Sequence, residues 1–154
     1  MRSSRDGGCK GSGARGKVAA LVYGPTCRGP LSGRMKPDTT FDKSDLRSGD
    51  PKFQAPRYAR YLRAVRELDR FARDNFGRRV IHLALRWALD QPGITAALWG
   101  ARHPAQLDPI EEVMGWALSF DAMREIDRIV RAQVKDPVGP EFMAPPARHQ
   151  LEAA

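Results

Sequence analysis

Residues 94–107 read Ile-Thr-Ala-Ala-Leu-Trp-Gly-Ala-Arg-His-Pro-Ala-Gln-Leu, and the fold turns on how they are read. Ile94 to Trp99 is a short apolar run, bounded by Pro92-Gly93 before it and Gly100 after it. A run of that length between turn residues suits a strand buried on both faces, as in a parallel sheet. Gly100 permits a tight turn, and Pro104 has the fixed φ that suits the first turn of a helix. A strand feeding a helix this way aims backbone N–H groups and a positive dipole end at whatever lies above it. Arg102 adds a fork of donors matched to a phosphate. The residues allow an anion site here, or a plain strand–loop–helix joint with a solvated arginine.

Working outward, residues 80–90 carry Ile81, Leu83, Ala84, Trp87 and Ala88 at helical spacing. His82 sits among them, and a lone histidine on a mostly buried helix is read as structural rather than catalytic. Before it, Tyr58, Tyr61, Leu62, Val65, Leu68, Phe71, Ala72 and Phe76 recur at three- and four-residue steps. That stripe predicts a helix starting at Pro56 and stopped by Gly77, with its aromatic residues in the core. Residues 17–23 (Lys-Val-Ala-Ala-Leu-Val-Tyr) form a second strand of the buried kind, ending in Gly24-Pro25 and a Gly-punctuated loop. Residues 36–55 are loop-like and too long for a simple connector, as lids and disordered segments are. After the 94–99 strand, Pro104 to Leu107 starts a helical turn. Asp108-Pro109-Ile110-Glu111 then reads as an N-cap with Pro at N1 and Glu at N3. Ser119 caps a last helix over 120–134, with Met123, Ile126, Ile129, Val130 and Val134 facing the core.

Strands separated by helices predict a right-handed parallel β–α arrangement. About two strands and four or five helices cannot close a barrel, so the chain reads as part of something larger. Residues 1–16 are expected to be a disordered basic tail, 17–135 the folded unit, and 136–154, with four prolines, an extended tail. Glu141-Phe142-Met143 is a candidate anchor within that tail.

The net charge of +8 invites a nucleic-acid reading, so its distribution matters. Residues 1–17 contribute +4 and residues 57–79 contribute +5, the latter from eight arginines on one side of an amphipathic helix. The aromatic residues fall on the opposite, apolar stripe, so no stacking platform for bases forms, and no nucleic-acid partner is expected. No run approaches the ~20 apolar residues of a membrane span. Cys9 and Cys27 offer neither a disulfide framework nor metal spacing, which makes a reducing cytoplasm the default expectation.

Two motifs now carry a resemblance. Tyr23-Gly24-Pro25 followed by Arg28-Gly29-Pro30-Leu31-Ser32-Gly33-Arg34 resembles the loop after the seventh barrel strand of aldo/keto reductases. Arg86-Trp87-Ala88-Leu89, a short strand, and Gly100-Ala101-Arg102-His103-Pro104-Ala105-Gln106-Leu107 resemble that family's final strand and the turn after it. The likeness spans residues 17–134. It implies an α/β fold, the C-terminal part of a (β/α)8 TIM barrel, incomplete. In such barrels the loops after strands seven and eight commonly hold phosphate.

The resemblance further implies an NADP site and, in an intact relative, NADPH-dependent reduction of a carbonyl substrate. Tyr23 would stack on the nicotinamide. Gly24, Thr26, Arg28 and Gly29 would lie along the pyrophosphate, partly through backbone N–H groups, with Leu31, Ser32 and Arg34 continuing that loop. Gly100, Ala101, Arg102 and Gln106 would hold the adenosine end, with Arg102 on the 2′-phosphate. Pro109 and Ile110 stand where many relatives carry a Glu-Asn pair. The family's Tyr, Lys, Asp and His catalytic group belongs to the first half of the barrel, and no residue here lies on a matching motif. Tyr58, Lys52, Asp50 and His82 are therefore not assigned those roles. The chain is expected to be inactive alone: a remnant that grips a dinucleotide phosphate, or a piece that pairs with a companion chain supplying the other strands.

Overall fold

In the 57–76 segment the apolar stripe winds onto one side of a helix, α1 (Arg57–Phe76), burying Tyr58, Leu62, Val65, Leu68 and Ala72. Pro56 is its N-cap, and Gly77 stops it in the left-handed conformation, donating to the Ala72 and Arg73 carbonyls. The second helix, α2 (Val80–Leu89), packs against α1, and so does a third, α3 (Phe120–Gln133). Ser119 caps α3 by accepting from the Ala122 N–H. Val65, Leu68, Ala72, Val80, Leu83, Ile126 and Ile129 form the common core. Val130 departs from expectation: it is exposed, because it lines an open cavity between the helices and the sheet instead of the close-packed core.

The computed structural model describes residues 18–101 and 103–139. The expected basic tail, Arg102, and the Glu141-Phe142-Met143 anchor lie outside the described residues.

Strands β1 (Ala20–Tyr23) and β2 (Ile94–Leu98) form a two-stranded parallel sheet, with Tyr23 opposite Leu98 and an irregularity between Ala20 and Leu21. The family's barrel has eight strands; the described residues form two parallel strands of such an α/β fold, with three α-helices and a six-residue 3-10 helix over Asp108–Val113. The expectation of strands buried on both faces is corrected. Helices cover one face only, and Leu21, Tyr23 and Leu98 on the other are 58%, 59% and 50% exposed. Among the described residues nothing covers that second face, which a closed barrel would turn inward. Even the covered face is loosely filled. A cavity of about 570 Å³ lies between it and the helices, lined by Val22, Ile94, Leu83, Trp87 and Ile126.

The segment after β2 also differs from expectation. Pro104–Gln106 is a single 3-10 turn, and Asp108 is the first residue of the next 3-10 segment rather than its cap. Pro109 supplies the reason: it lacks an N–H and its ring blocks a helix arriving from Pro104. No α-helix therefore begins at this turn, and the helix-dipole argument for an anion does not hold there. Among the described residues, no helix is long and apolar enough to cross a membrane.

Candidate functional site

The parallel register decides where the two loops go. With Tyr23 opposite Leu98, the turn beginning at Gly24 and the turn beginning at Trp99 leave the same end of the sheet.

The first turn is tightly built. Gly24 has φ 71°, the Cys27 N–H donates to the Gly24 carbonyl at 2.9 Å, and the Gly29 N–H donates to the Thr26 carbonyl at 2.9 Å. Between them Cys27 and Arg28 adopt φ 56° and 62°, a conformation that non-glycine residues seldom take. Two left-handed residues in succession cost roughly 1–3 kcal/mol each and persist only where their surroundings hold them. The Thr26 and Arg28 N–H groups have no acceptor among the described residues. Neighbouring N–H groups left without a protein acceptor can form an anion-binding concavity when they face a common ligand. Gly29, at φ 125°, fits because a Cβ there would collide with the Met35 methyl group. Pro30 then opens a 3-10 turn, Pro30–Ser32, in which Leu31 points into the core beside α1 and α2. The Ser32 hydroxyl accepts from the Arg34 N–H, and the Arg34 side chain is exposed.

Arg28 is tied down from a distance. Its Nη1 lies 3.1 Å from Asp50 Oδ2, and Lys52 Nζ reaches the same oxygen at 2.7 Å. Asp50 Oδ1 accepts the Lys52 N–H at 2.9 Å, and both Asp50 and Lys52 are buried. Cys27 lies in the same surroundings, where burial pushes its thiol pKa up, partly offset by Lys52. No role for Asp50 or Lys52 follows from the residues read in order. Asp50-Pro51 is a legible N-cap signal for the Pro51–Phe53 turn, but nothing local pairs it with Arg28.

The second turn is less elaborate. Gly100 is not among the glycines with positive φ, so its turn does not depend on glycine's freedom. Gly100 and Ala101 are exposed, and Gln106 Oε1 accepts the His103 N–H at 3.3 Å, closing the Pro104 turn. Trp99 leaves the strand and packs on Ile81, Leu85 and Val113. The turn after Tyr23 and the turn after Leu98 thus start at one end of the sheet, with Arg102 outside the described residues.

His82 is structural in its contacts. It is 1% exposed, and its Nδ1 accepts the Arg79 N–H at the start of α2. Burial lowers its pKa, with Glu112 pulling the other way. Among the described residues, four of the eight arginines on 57–79 pair with acids: Arg57 with Asp136, Arg70 with Glu67, Arg73 with Asp69 and Arg78 with Glu112. No group of three or more His, Cys, Asp or Glu among the described residues could hold a metal ion.

Comparison with known proteins agrees with this architecture. Residues 14–131 match the sequence model of the aldo/keto reductase family. The chain is 51% identical over 135 residues to aldo-keto reductase YhdN of Bacillus subtilis (strain 168), covering 88% of this chain and 41% of that protein. In fold it is similar to the glycerol dehydrogenase AKR11B4 from Gluconobacter oxydans, with a TM-score of 0.73 and 45% identity over 82% of this chain and 38% of that one. It spans about two fifths of the length of these relatives. On the family match and the shared parallel β–α architecture, the chain belongs to the aldo/keto reductase family.

Proposed function

We propose that these residues form the NADPH-gripping part of an aldo/keto reductase, and that the chain alone does not turn over a carbonyl substrate. The observation that carries the reading is the Tyr23–Leu98 register, which sends both loops out over one end of the sheet. The exposed Tyr23 ring is available to a flat nicotinamide. The open Thr26 and Arg28 N–H groups and the Arg28 guanidinium suit a diphosphate. Gly100, Ala101, Arg102 and Gln106 would take the adenosine end. When bound, NADPH supplies the hydride for carbonyl reduction; this chain's own residues bind and orient it. The proton donor of the family's reaction belongs to barrel strands beyond those described, whether on the same polypeptide or on a companion chain. A cytoplasmic setting accords with the unbridged Cys27 thiol.

The exposed face of Leu21, Tyr23 and Leu98 favours a second reading beside the first, a surface that pairs with the remaining strands of a barrel. Titration with NADPH, followed by a turnover assay on a broad-specificity aldehyde, tests both. Binding without turnover is expected. Turnover by this chain alone would overturn the assignment of the proton donor elsewhere, and absence of NADPH binding would overturn the grip.

A further inference from the structure

We propose that Asp50 is a positioning residue for the turn after β1: through Arg28 it holds the left-handed Cys27–Arg28 backbone that leaves two N–H groups open to a diphosphate. The inference rests on the reading of that turn as the dinucleotide grip and names what keeps it in shape.

The turn's own hydrogen bonds close the loop at Gly24 and at Thr26, but they do not restrain the Arg28 side chain. Asp50 does, from 22 residues away, and it is fixed before it reaches Arg28. Its Oδ1 is committed to the Lys52 N–H and its Oδ2 to Lys52 Nζ, with the side chain only 1% exposed. The turn that carries it, Pro51–Phe53, is anchored through Phe53, whose ring packs on Phe41 and on Tyr58 of α1 at 4.9 and 5.7 Å. A rigid line therefore runs from α1 through Phe53 and Asp50 to Arg28. Left-handed non-glycine residues persist where surrounding contacts over-determine them, and the Arg28–Asp50 ion pair is a long-range contact of that kind, beside the packed surroundings of Cys27. Asp50 engages only one edge of the guanidinium. Nε and Nη2 of Arg28 meet no acceptor among the described residues, so the remaining edge can take a phosphate while the first stays anchored.

Calorimetric titration of the full 154-residue chain with NADP+ and with inorganic pyrophosphate tests this, using Asp50→Asn, Asp50→Glu, Arg28→Gln and the Asp50→Asn/Arg28→Gln pair. If Asp50→Asn leaves the turn competent about a tenth of the time, NADP+ affinity falls about tenfold. In the Arg28→Gln background the same substitution should then change affinity by less than about twofold, because Asp50 acts through Arg28. Backbone carbon shifts of Cys27 and Arg28 should also leave their left-handed values in Asp50→Asn, a change that general loosening of the core would not confine to these two residues. Should Asp50→Asn fail to fold, Asp50→Glu keeps the charge but moves it by one methylene, and weaker binding is again expected.

Unchanged affinity in whichever Asp50 variant folds, or an equal loss with and without Arg28, would overturn the proposal while the cofactor reading stands. Failure of the unsubstituted chain to bind either probe would overturn the cofactor reading. The carbon shifts would then still decide whether Asp50 holds the turn.

Discussion

Tyr23 and Leu98 stand opposite each other at the end of a parallel ladder, so the chain leaves both strands in the same direction. A parallel pair cannot be joined by a tight hairpin, and here the whole of α1 and α2 lies between the strands. The turns that follow are thus neighbours in space although more than seventy residues apart in sequence.

Tyr23 is 59% exposed, so removing its ring takes little from the core. Tyr23→Ala should change the urea midpoint of unfolding by an amount equivalent to less than about 0.5 kcal/mol. NADPH affinity, read by fluorescence titration, should fall several-fold through the lost stacking surface. An unfolding shift larger than the binding loss would place the ring in the fold rather than in the site.

The half-covered sheet has a dynamic consequence. Among the described residues each strand pairs along one edge only, and no element covers the Leu21, Tyr23 and Leu98 face. Amide hydrogen exchange at low protein concentration should show weak protection in β1 and β2 and the strongest protection in α1 around Leu68 and Ala72. Global-level protection in the strands, without ligand or partner, would contradict this.

Helix ends offer a test of local stability. Ser119→Ala removes the acceptor for the Ala122 N–H and should cost about 1 kcal/mol. Gly77→Ala forces a Cβ into φ 63° where no neighbouring atom lies within 4 Å, so its cost is conformational, again about 1 kcal/mol. Urea unfolding followed by circular dichroism reads both.

His82 makes stability pH-dependent. Burial lowers its folded-state pKa below the ordinary 6.5, so the unfolded chain binds the proton more readily. The neutral ring's contribution is complete above about pH 6.5 and is lost as the pH falls below it. His82→Asn keeps an acceptor near the Arg79 N–H and removes the titration. The urea midpoint of the unsubstituted chain should therefore decline from about pH 7.5 to 5.5 relative to that of His82→Asn. Parallel profiles would show that His82 does not titrate differently in the two states.

The helices and their ends were legible in the residues alone, since Tyr58 to Phe76, Gly77 and Ser119 act through spacing and capping within a few residues. The sequence also marked both apolar runs and the family motifs around Tyr23 and Gly100. It placed a helical turn at Pro104 and a new start at Asp108 without showing that both segments are 3-10, and it misjudged the burial of the strands, which depends on what other elements cover. That Arg28 meets Asp50 and that one face of the sheet stays open emerged with the folded arrangement alone. Periodicity and capping are local properties that a short window contains. A pairing across 22 residues, or a face left without a neighbour, exists only once the chain has closed on itself.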